Sequence, residues 1–229
     1  MNIKQALAIV GGLSNTSKMP GLSTSISARS CRIGAKLVAV PNSVCSGCYA
    51  LKGAYTWKGV RDALGHRLEI LQACEHDLTR REEWIEAMAF LLNTRRAKWS
   101  EGAKNDSRYF RWFDSGDLQG LYHLGMIAEV ASLTPDVAHW LPTRELPTVS
   151  AFLRHFGHFP SNLTVRLSAN KVGAPLPDVK GTVSSGVHVT RDAPENGARQ
   201  CPAIHNDNAC GDCRACWDPE VPRISYLKH

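Results

Sequence analysis

Apolar residues recur at helical spacing in several segments of the chain. In residues 60–76, apolar side chains at intervals of three and four residues would lie on one side of a helix. Similar spacing predicts three further helices, over residues 79–99, from about residue 118, and over residues 148–157. Thr79 and Glu82 have the spacing of a capping box, which predicts that the second helix begins there.

Short runs rich in apolar residues alternate with these helices and predict strands. The runs cover residues 109–113, 137–141, 163–168 and 183–189. Strands that alternate with helices usually form a mostly parallel sheet with right-handed crossovers, so we expect an α/β fold. We expect its main body to span residues 1–195. Residues 196–229 show little secondary-structure pattern and are expected to form a cysteine-rich tail that metal organises.

The charge and hydropathy of the chain limit its partners and its compartment. The 229 residues carry a formal charge of +6, which permits contact with nucleic acid but does not require it. No run approaches the roughly 18 apolar residues that a membrane span needs, and no secretory signal is predicted. We therefore expect a cytoplasmic protein. In a reducing cytosol, clustered cysteines indicate metal binding or catalysis rather than disulfides.

Seven of the eight cysteines fall into two sets, one near each end of the chain. The C-terminal set contains Cys201, Cys210, Cys213 and Cys216. Its last three thiols are separated by two consecutive gaps of two residues, which is typical of iron–sulfur ligation, and four thiolates match a [4Fe–4S] cluster. Zinc is the alternative, because four thiolates also form a tetrahedral structural zinc site.

The N-terminal set contains Cys31, Cys45 and Cys48, one thiolate fewer than a closed cubane needs. A cubane with three cysteines has one iron open to a substrate or cofactor. Alternatively, a histidine or aspartate elsewhere closes the site. A third arrangement pairs Cys45 and Cys48 with Cys213 and Cys216 in one zinc knuckle. The sequence therefore predicts one or two metal centres and leaves the choice open.

Polar residues follow the predicted strands, and in open α/β sheets ligands bind at the carboxyl ends of the strands. The candidate cofactor-binding residues are Ser115, Gly116, Asp117, Arg144, Arg166 and Ser168. Asp117 either contacts a ligand or caps the next helix. Arg144 either pairs with Glu145 or binds an anionic ligand. Arg166 lies within a strand, and an arginine buried there needs a partner such as the carboxylate of a bound cofactor.

Several motifs resemble a bacteriophage family called gene-product-88-like. They include Cys45-Ser-Gly-Cys-Tyr-Ala, Arg111-Trp-Phe-Asp-Ser-Gly-Asp and Cys210-Gly-Asp-Cys-Arg-Ala-Cys-Trp. The resemblance extends from about Lys18 to the C-terminal end of the chain. It implies a phage origin, a metallocluster and a location in the cytoplasm of the host bacterium.

The order of the elements is more distantly similar to that of radical S-adenosylmethionine enzymes. In that superfamily a cysteine triplet follows an N-terminal strand, and a later strand ends in glycine and an acidic residue. The resemblance implies a partial (β/α) barrel, with a [4Fe–4S] cluster held by the three N-terminal cysteines. It also implies that S-adenosylmethionine contacts the segment from Ser115 to Asp117, and that the tail holds an auxiliary cluster.

Two classes of function remain open from the sequence. The first is a phage-encoded iron–sulfur protein, either a radical-S-adenosylmethionine-like enzyme or a redox protein, that takes a small-molecule ligand. The alternative is a non-catalytic phage accessory protein in which zinc or a cluster holds the fold, and which binds nucleic acid or a host factor. If the protein belongs to the first class, we expect the purified protein to contain iron. A structural zinc protein would contain no iron and would be colourless.

Overall fold

A computed structural model describes residues 1–16, 18–96, 106–190, 194 and 197–228, and it contains a seven-stranded parallel sheet with helices. The helices are α1 (Ile3–Val10), α2 (Arg32–Leu37), α3 (Lys58–His76), α4 (Leu78–Arg96), α5 (Leu121–Leu133) and α6 (Leu146–Phe156). The strands are β1 (Leu22–Thr24), β2 (Tyr109–Trp112), β3 (Ala138–Thr143), β4 (Leu163–Ser168), β5 (Val183–His188), β6 (Arg199–Gln200) and β7 (Arg223–Leu227).

The strands lie in the order β1-β2-β3-β4-β5-β7-β6, and every neighbouring pair is parallel. The expected α/β fold with a parallel sheet is therefore confirmed. Because the strands run parallel, their carboxyl ends lie along one rim of the sheet. The strand pairings within the described residues leave β1 and β6 as the two edges of the sheet.

The tail contributes more to the sheet than its sequence predicts. Residues 199–200 form β6, and Arg223–Leu227 form β7, which pairs with β5 over five residues. Both strands are short, and the segment between them carries cysteines, one glycine and polar residues rather than an alternating pattern. The tail is thus fastened to the sheet by backbone hydrogen bonds.

The start of α4 differs from the prediction. The helix begins at Leu78, and the side chain of Asp77 accepts a hydrogen bond from the backbone nitrogen of Arg80 at 3.1 Å. Asp77 therefore caps the helix, and the capping box predicted at Thr79 is wrong because that residue already lies inside the helix. The predicted end of this helix at residue 99 lies outside the described residues.

The two faces of the sheet differ in chemistry because successive side chains of a strand point to opposite faces. One face packs against the helices and forms the main hydrophobic core, to which the central strands contribute Phe110, Trp112, Leu141, Val165 and Leu167. The other face carries polar and aromatic side chains, namely Tyr109, Arg111, Trp140, Thr164 and Arg166. A short helical turn at Ala215–Trp217 in the tail covers this second face.

Arg166 holds the tail against the sheet. Its guanidinium is fully buried and donates hydrogen bonds to the carbonyl groups of Ser184, Ala215 and Val221 at 3.0–3.2 Å. Burial of a guanidinium is costly unless its N–H groups are hydrogen-bonded. The three carbonyl groups provide these hydrogen bonds at Nη1 and Nη2. Trp217 packs beside it, 5.1 Å from the ring of Trp140.

None of the described helices is both long and apolar enough to cross a lipid bilayer.

Candidate metal centres

The structure brings the three N-terminal thiols together. Cys31 immediately precedes α2, and a side chain on Gly34 would lie 3.5 Å from the sulfur of Cys31 and 3.6 Å from that of Cys45. Burial, followed by smaller contributions from the charges of Asp117, Cys45 and Cys48, raises the pKa of Cys31 to about 12. All three thiols therefore lie within electrostatic range of one another, next to the end of β2.

Protein contacts hold the long loop that carries these cysteines. The Asp114 carboxylate accepts hydrogen bonds from the Tyr55 hydroxyl at 2.8 Å and the Ser23 hydroxyl at 2.9 Å, and also from the Ser25 hydroxyl. The Tyr49 hydroxyl donates to the Asp114 carbonyl oxygen. Asp114 thus joins β1, the end of β2 and the turns that follow Cys48.

Asp117 joins the ends of β2 and β3. One carboxylate oxygen accepts hydrogen bonds from the Leu118 nitrogen at 2.8 Å and the Thr143 hydroxyl at 2.5 Å, and the other accepts from the Arg144 nitrogen at 2.9 Å. Burial raises the pKa of Asp117 to about 6, although these three donors lower it. Asp117 is not the cap of α5, whose N-cap residue is Gly120.

Arg144 and Glu145 have separate roles at this rim. Glu145 accepts a hydrogen bond from the backbone nitrogen of Ile33 at 2.7 Å, and so ties the end of β3 to α2. The Arg144 guanidinium instead faces the thiols: burial raises the pKa of Cys45, and the positive charge of Arg144 opposes that rise. The buried Nε of Arg144 has no hydrogen-bond partner within the described part of the chain.

Ser115 and Gly116, which follow β2, pack closely against Ile26, which follows β1. The Ser115 hydroxyl donates to the Ile26 carbonyl oxygen at 3.0 Å. Gly116 has a φ of 86°, and a side chain there would lie 2.8 Å from the same oxygen, so the close approach requires glycine. Ser168 lies farther along the rim, where its hydroxyl is 3.2 Å from that of Ser185.

The four C-terminal thiols form a second group on the face of the sheet opposite the helices. Burial raises the pKa of Cys216 to about 12, and the charges of Cys201 and Cys210 are among the smaller contributions. Burial also raises the pKa of Cys210, which interacts with both Cys201 and Cys213. The Tyr226 hydroxyl lies 3.4 Å from the sulfur of Cys216. The four thiols are therefore electrostatic neighbours.

Arg111 lies between the two groups of thiols, a position that the sequence did not reveal. It is within electrostatic range of Asp114 on the N-terminal side and of Cys210 and Cys216 on the C-terminal side. Its guanidinium lies 4.5 Å from the ring centroid of Trp140, a cation–π contact. The only sequence signal was the alternation within β2, which places this arginine on the face opposite the core.

The model of one protein family, described as gene product 88, matches residues 3–219. The chain belongs to the gene product 88 family. The match covers both cysteine sets and confirms the phage family that the motifs suggested. No curated protein and no solved structure matches the chain.

In this member of the gene product 88 family, the two sets of thiols have different surroundings. The N-terminal thiols interact with Asp117 and Arg144, and the C-terminal thiols with Arg111, Arg166 and Tyr226. This grouping differs from a single knuckle that would draw two cysteines from each set. The two sets therefore form two separate groups of thiols within the described residues.

Within the described residues, no group of three or more His, Cys, Asp or Glu side chains is close enough to bind a metal ion. Ligands of a single zinc ion have to converge, with sulfurs roughly 3.8 Å apart for tetrahedral Zn–S bonds of about 2.3 Å. The thiolates of a cubane bind different irons, so they surround a larger volume. The argument that each set of cysteines suits a cubane therefore depends on how many thiolates it contains, three in the N-terminal set and four in the C-terminal set.

Proposed function

We propose that this protein holds two [4Fe–4S] clusters with different roles. Cys31, Cys45 and Cys48 hold the N-terminal cluster and leave one iron without a protein ligand. The four cysteines of the tail hold a closed cluster. The observation that supports this proposal most directly is the gathering of seven thiols into one group of three near Arg144 and one group of four near Arg111 and Arg166.

The open cluster is proposed as the reactive site. An iron without a protein ligand can bind a substrate or cofactor directly, which is the chemistry that a three-cysteine cubane supplies. Around it, Asp117 and Glu145 fix the positions of the strand ends and of α2. Arg144 brings a positive charge with a free Nε donor, which suits an anionic group such as a carboxylate.

We propose S-adenosylmethionine as the ligand of the open iron, with its carboxylate near Arg144 and its amino group near the segment from Ser115 to Asp117. The support is the likeness of the element order to radical S-adenosylmethionine enzymes, together with the acidic residue at the end of β2. In this proposal the parallel sheet is a partial (β/α) barrel, and the open cluster with its bound cofactor would supply one-electron chemistry at the rim formed by β2 and β3.

The closed cluster is proposed to carry electrons. Trp217 is 4% exposed and directly follows Cys216, so it shields this centre from solvent. The Tyr226 hydroxyl can donate to the Cys216 sulfur, and hydrogen bonds and solvent exposure are the features that set cluster potentials. The raised pKa of Cys216 means that the thiol gives up its proton when the cluster forms, so assembly releases protons.

Iron and acid-labile sulfide should be counted in protein purified without oxygen. We expect about eight irons per chain for two cubanes, and about four after serine replaces either the three N-terminal cysteines or Cys210, Cys213 and Cys216. Replacement of the core cysteine Cys74, which is 1% exposed, by alanine is the matched control and should leave the iron content unchanged. Stoichiometric zinc without iron would replace this proposal with a structural zinc site.

Electron paramagnetic resonance of the reduced protein then tests the ligand. Addition of S-adenosylmethionine should change the signal of the N-terminal cluster and leave that of the C-terminal cluster unchanged. The variant that lacks the tail cysteines isolates the N-terminal signal, and the variant that lacks the N-terminal cysteines is its control. Two clusters with no response to S-adenosylmethionine would keep the iron–sulfur assignment and reject this cofactor.

A further inference from the structure

The positive charge of the chain is unevenly distributed. The first 61 residues contain eight lysines and arginines and no aspartate or glutamate, and the first acidic residue is Asp62. The whole chain has 27 basic and 21 acidic residues, so the remaining 168 residues are close to neutral, with 19 basic and 21 acidic residues. The N-terminal segment therefore carries a formal charge of +8 (eight basic, no acidic residues) and the rest of the chain −2 (19 basic, 21 acidic), and a segment of one sign of charge attracts partners of the other.

These basic residues are exposed around the three N-terminal thiols. We use the name basic cap for residues 28–61, the segment that carries Cys31, Cys45 and Cys48. Its exposed basic side chains are Arg29, Arg32, Lys36, Lys52, Lys58 and Arg61. The backbone of Ser43 pairs with that of Lys171, which adds one more exposed lysine beside the cap.

Two aromatic side chains of the basic cap face solvent. Trp57 is 68% exposed and Tyr49 is 53% exposed, whereas four other tryptophans, at positions 84, 112, 140 and 217, are at most 5% exposed. Large aromatic rings are normally buried, so exposed ones next to lysines and arginines need an explanation. Proteins that bind single-stranded nucleic acid combine these two features, because basic groups contact phosphates and aromatic rings stack on unpaired bases.

We infer that the basic cap binds single-stranded nucleic acid and presents it to the N-terminal centre. This inference rests on the proposed function where it makes the nucleic acid the substrate of that centre. The absence of acidic residues from the cap favours a polyanion. The exposed Trp57 favours unpaired bases over an acidic peptide, which has no ring system to stack, and over a duplex, whose bases are already stacked.

Binding should be measured by fluorescence anisotropy with labelled single-stranded DNA and RNA oligonucleotides of mixed sequence, over a range of salt concentrations. The double variant Lys36→Gln and Lys52→Gln removes two positive charges from the cap. If both contact phosphates, the slope of log affinity against log salt falls by about 1.4, since each contact on a single strand contributes about 0.7. The charge-matched control, Arg154→Gln with Lys180→Gln, changes two exposed residues near α6 and should leave the slope unchanged.

Substitution of the exposed tryptophan tests the stacking. Trp57→Ala should weaken binding at least about fivefold, as expected for loss of one stacked base, and Trp57→Phe should keep most of the affinity. Phe156→Ala is the control, because Phe156 is 53% exposed on α6 and lies outside the cap. Equal losses from Trp57→Ala and Phe156→Ala would overturn the stacking and the inference with it.

The remaining outcomes separate this inference from the proposed function. No binding to either oligonucleotide at low salt, or equally tight binding to polyglutamate, overturns the inference even if the protein holds iron. Salt-dependent binding that needs Trp57, in a protein without iron, supports the basic cap and rejects the cluster. A duplex that binds as tightly as the single strand also overturns the inference, because it would show that unpaired bases are not recognised.

Discussion

The hydroxyl of Thr143 donates a 2.5 Å hydrogen bond to the buried carboxylate of Asp117, and this contact joins the carboxyl ends of β2 and β3. Asp117 is 4% exposed, so its oxygens depend on protein donors to remain ionised. The same hydroxyl accepts a hydrogen bond from the Glu145 nitrogen at 3.0 Å. Thr143 therefore fixes the segment that places Arg144 beside the N-terminal thiols.

Replacement of Thr143 by valine should destabilise the protein and loosen the N-terminal centre. Valine has nearly the same shape but leaves the Asp117 carboxylate one donor short, and an unsatisfied buried group costs about 1–3 kcal/mol in the free energy of unfolding. Urea unfolding monitored by circular dichroism measures this loss. Iron counting should show that the proposed C-terminal cluster is retained.

Thr182→Val is the matched control for this change. The Thr182 hydroxyl donates to the Val179 carbonyl oxygen at 2.8 Å in a turn before β5, where no carboxylate is involved. We expect a smaller loss of stability and no change at either cluster. An equal loss of stability in the two variants would show that the hydrogen bond between Thr143 and Asp117 contributes no more to the free energy of unfolding than an ordinary turn hydrogen bond.

If the protein holds the proposed N-terminal cluster, replacement of Arg144 by glutamine should lower its reduction potential. The guanidinium charge acts on both Cys31 and Cys45, and a nearby positive charge favours the more negative, reduced state of a cluster. A redox titration followed by electron paramagnetic resonance measures the shift, and Arg144→Lys should restore part of it.

Arg111→Gln provides a crossed control for the arginine experiment. Arg111 interacts with Cys210 and Cys216, so its loss should lower the potential of the C-terminal cluster and change the N-terminal one less. Equal shifts of both clusters in both variants would contradict the assignment of one arginine to each centre.

The periodic parts of the fold could be predicted from the sequence, because burial imposes the pattern there. Residues 163–168 alternate between a core that the helices cover and the face that the tail covers, and the predicted and observed limits of β4 agree. The strands of the tail carry no such pattern. β7 is held by pairing with β5 and by the packing of Ile224, which are contacts between residues distant in sequence.

In the candidate site, too, the features with a local sequence pattern could be predicted, and those that depend on contacts between distant residues could not. The cysteines could be identified by their spacing alone, and the motif Asp114-Ser-Gly-Asp marked the end of β2. Arg166 was expected to bind a cofactor, but its guanidinium donates to tail carbonyls that no local pattern could place there. For Arg144 and Glu145 the sequence left open a mutual ion pair or an anionic ligand, and it gave no sign that Glu145 binds the backbone of Ile33, more than a hundred residues earlier in the chain.

Replacement of Gly116 by alanine should be strongly destabilising. The residue has a φ of 86°, and its added methyl group would overlap Ile26. The backbone conformation alone costs about 1–3 kcal/mol for a residue other than glycine, and the overlap adds to it. Thermal unfolding measures the loss. Gly65→Ala in α3 is the control: it meets no atom within 4 Å and should instead stabilise the helix by up to about 1 kcal/mol.

Stability should decline in mild acid because of a buried histidine in β3. The indole nitrogen of Trp112 donates to Nδ1 of His139 at 3.2 Å, so Nε2 carries the proton and donates to the Thr134 hydroxyl at 2.8 Å. Burial lowers the pKa of His139 to about 3. Because the unfolded chain binds a proton near pH 6.5 and the folded state does not, this contribution is complete above that pH and is lost as the pH falls below it.

Between pH 7 and 5.5 this one group should remove about 1.3 kcal/mol from the free energy of unfolding. Urea unfolding at both pH values, compared with that of His139→Gln, isolates the contribution, because glutamine does not titrate. The stability difference between the wild type and the variant should shrink by that amount at the lower pH. His158→Gln, at an exposed position, is the control and should show the pH dependence of the wild type. A His139→Gln variant that keeps the full pH dependence would show that folding does not lower the pKa of His139.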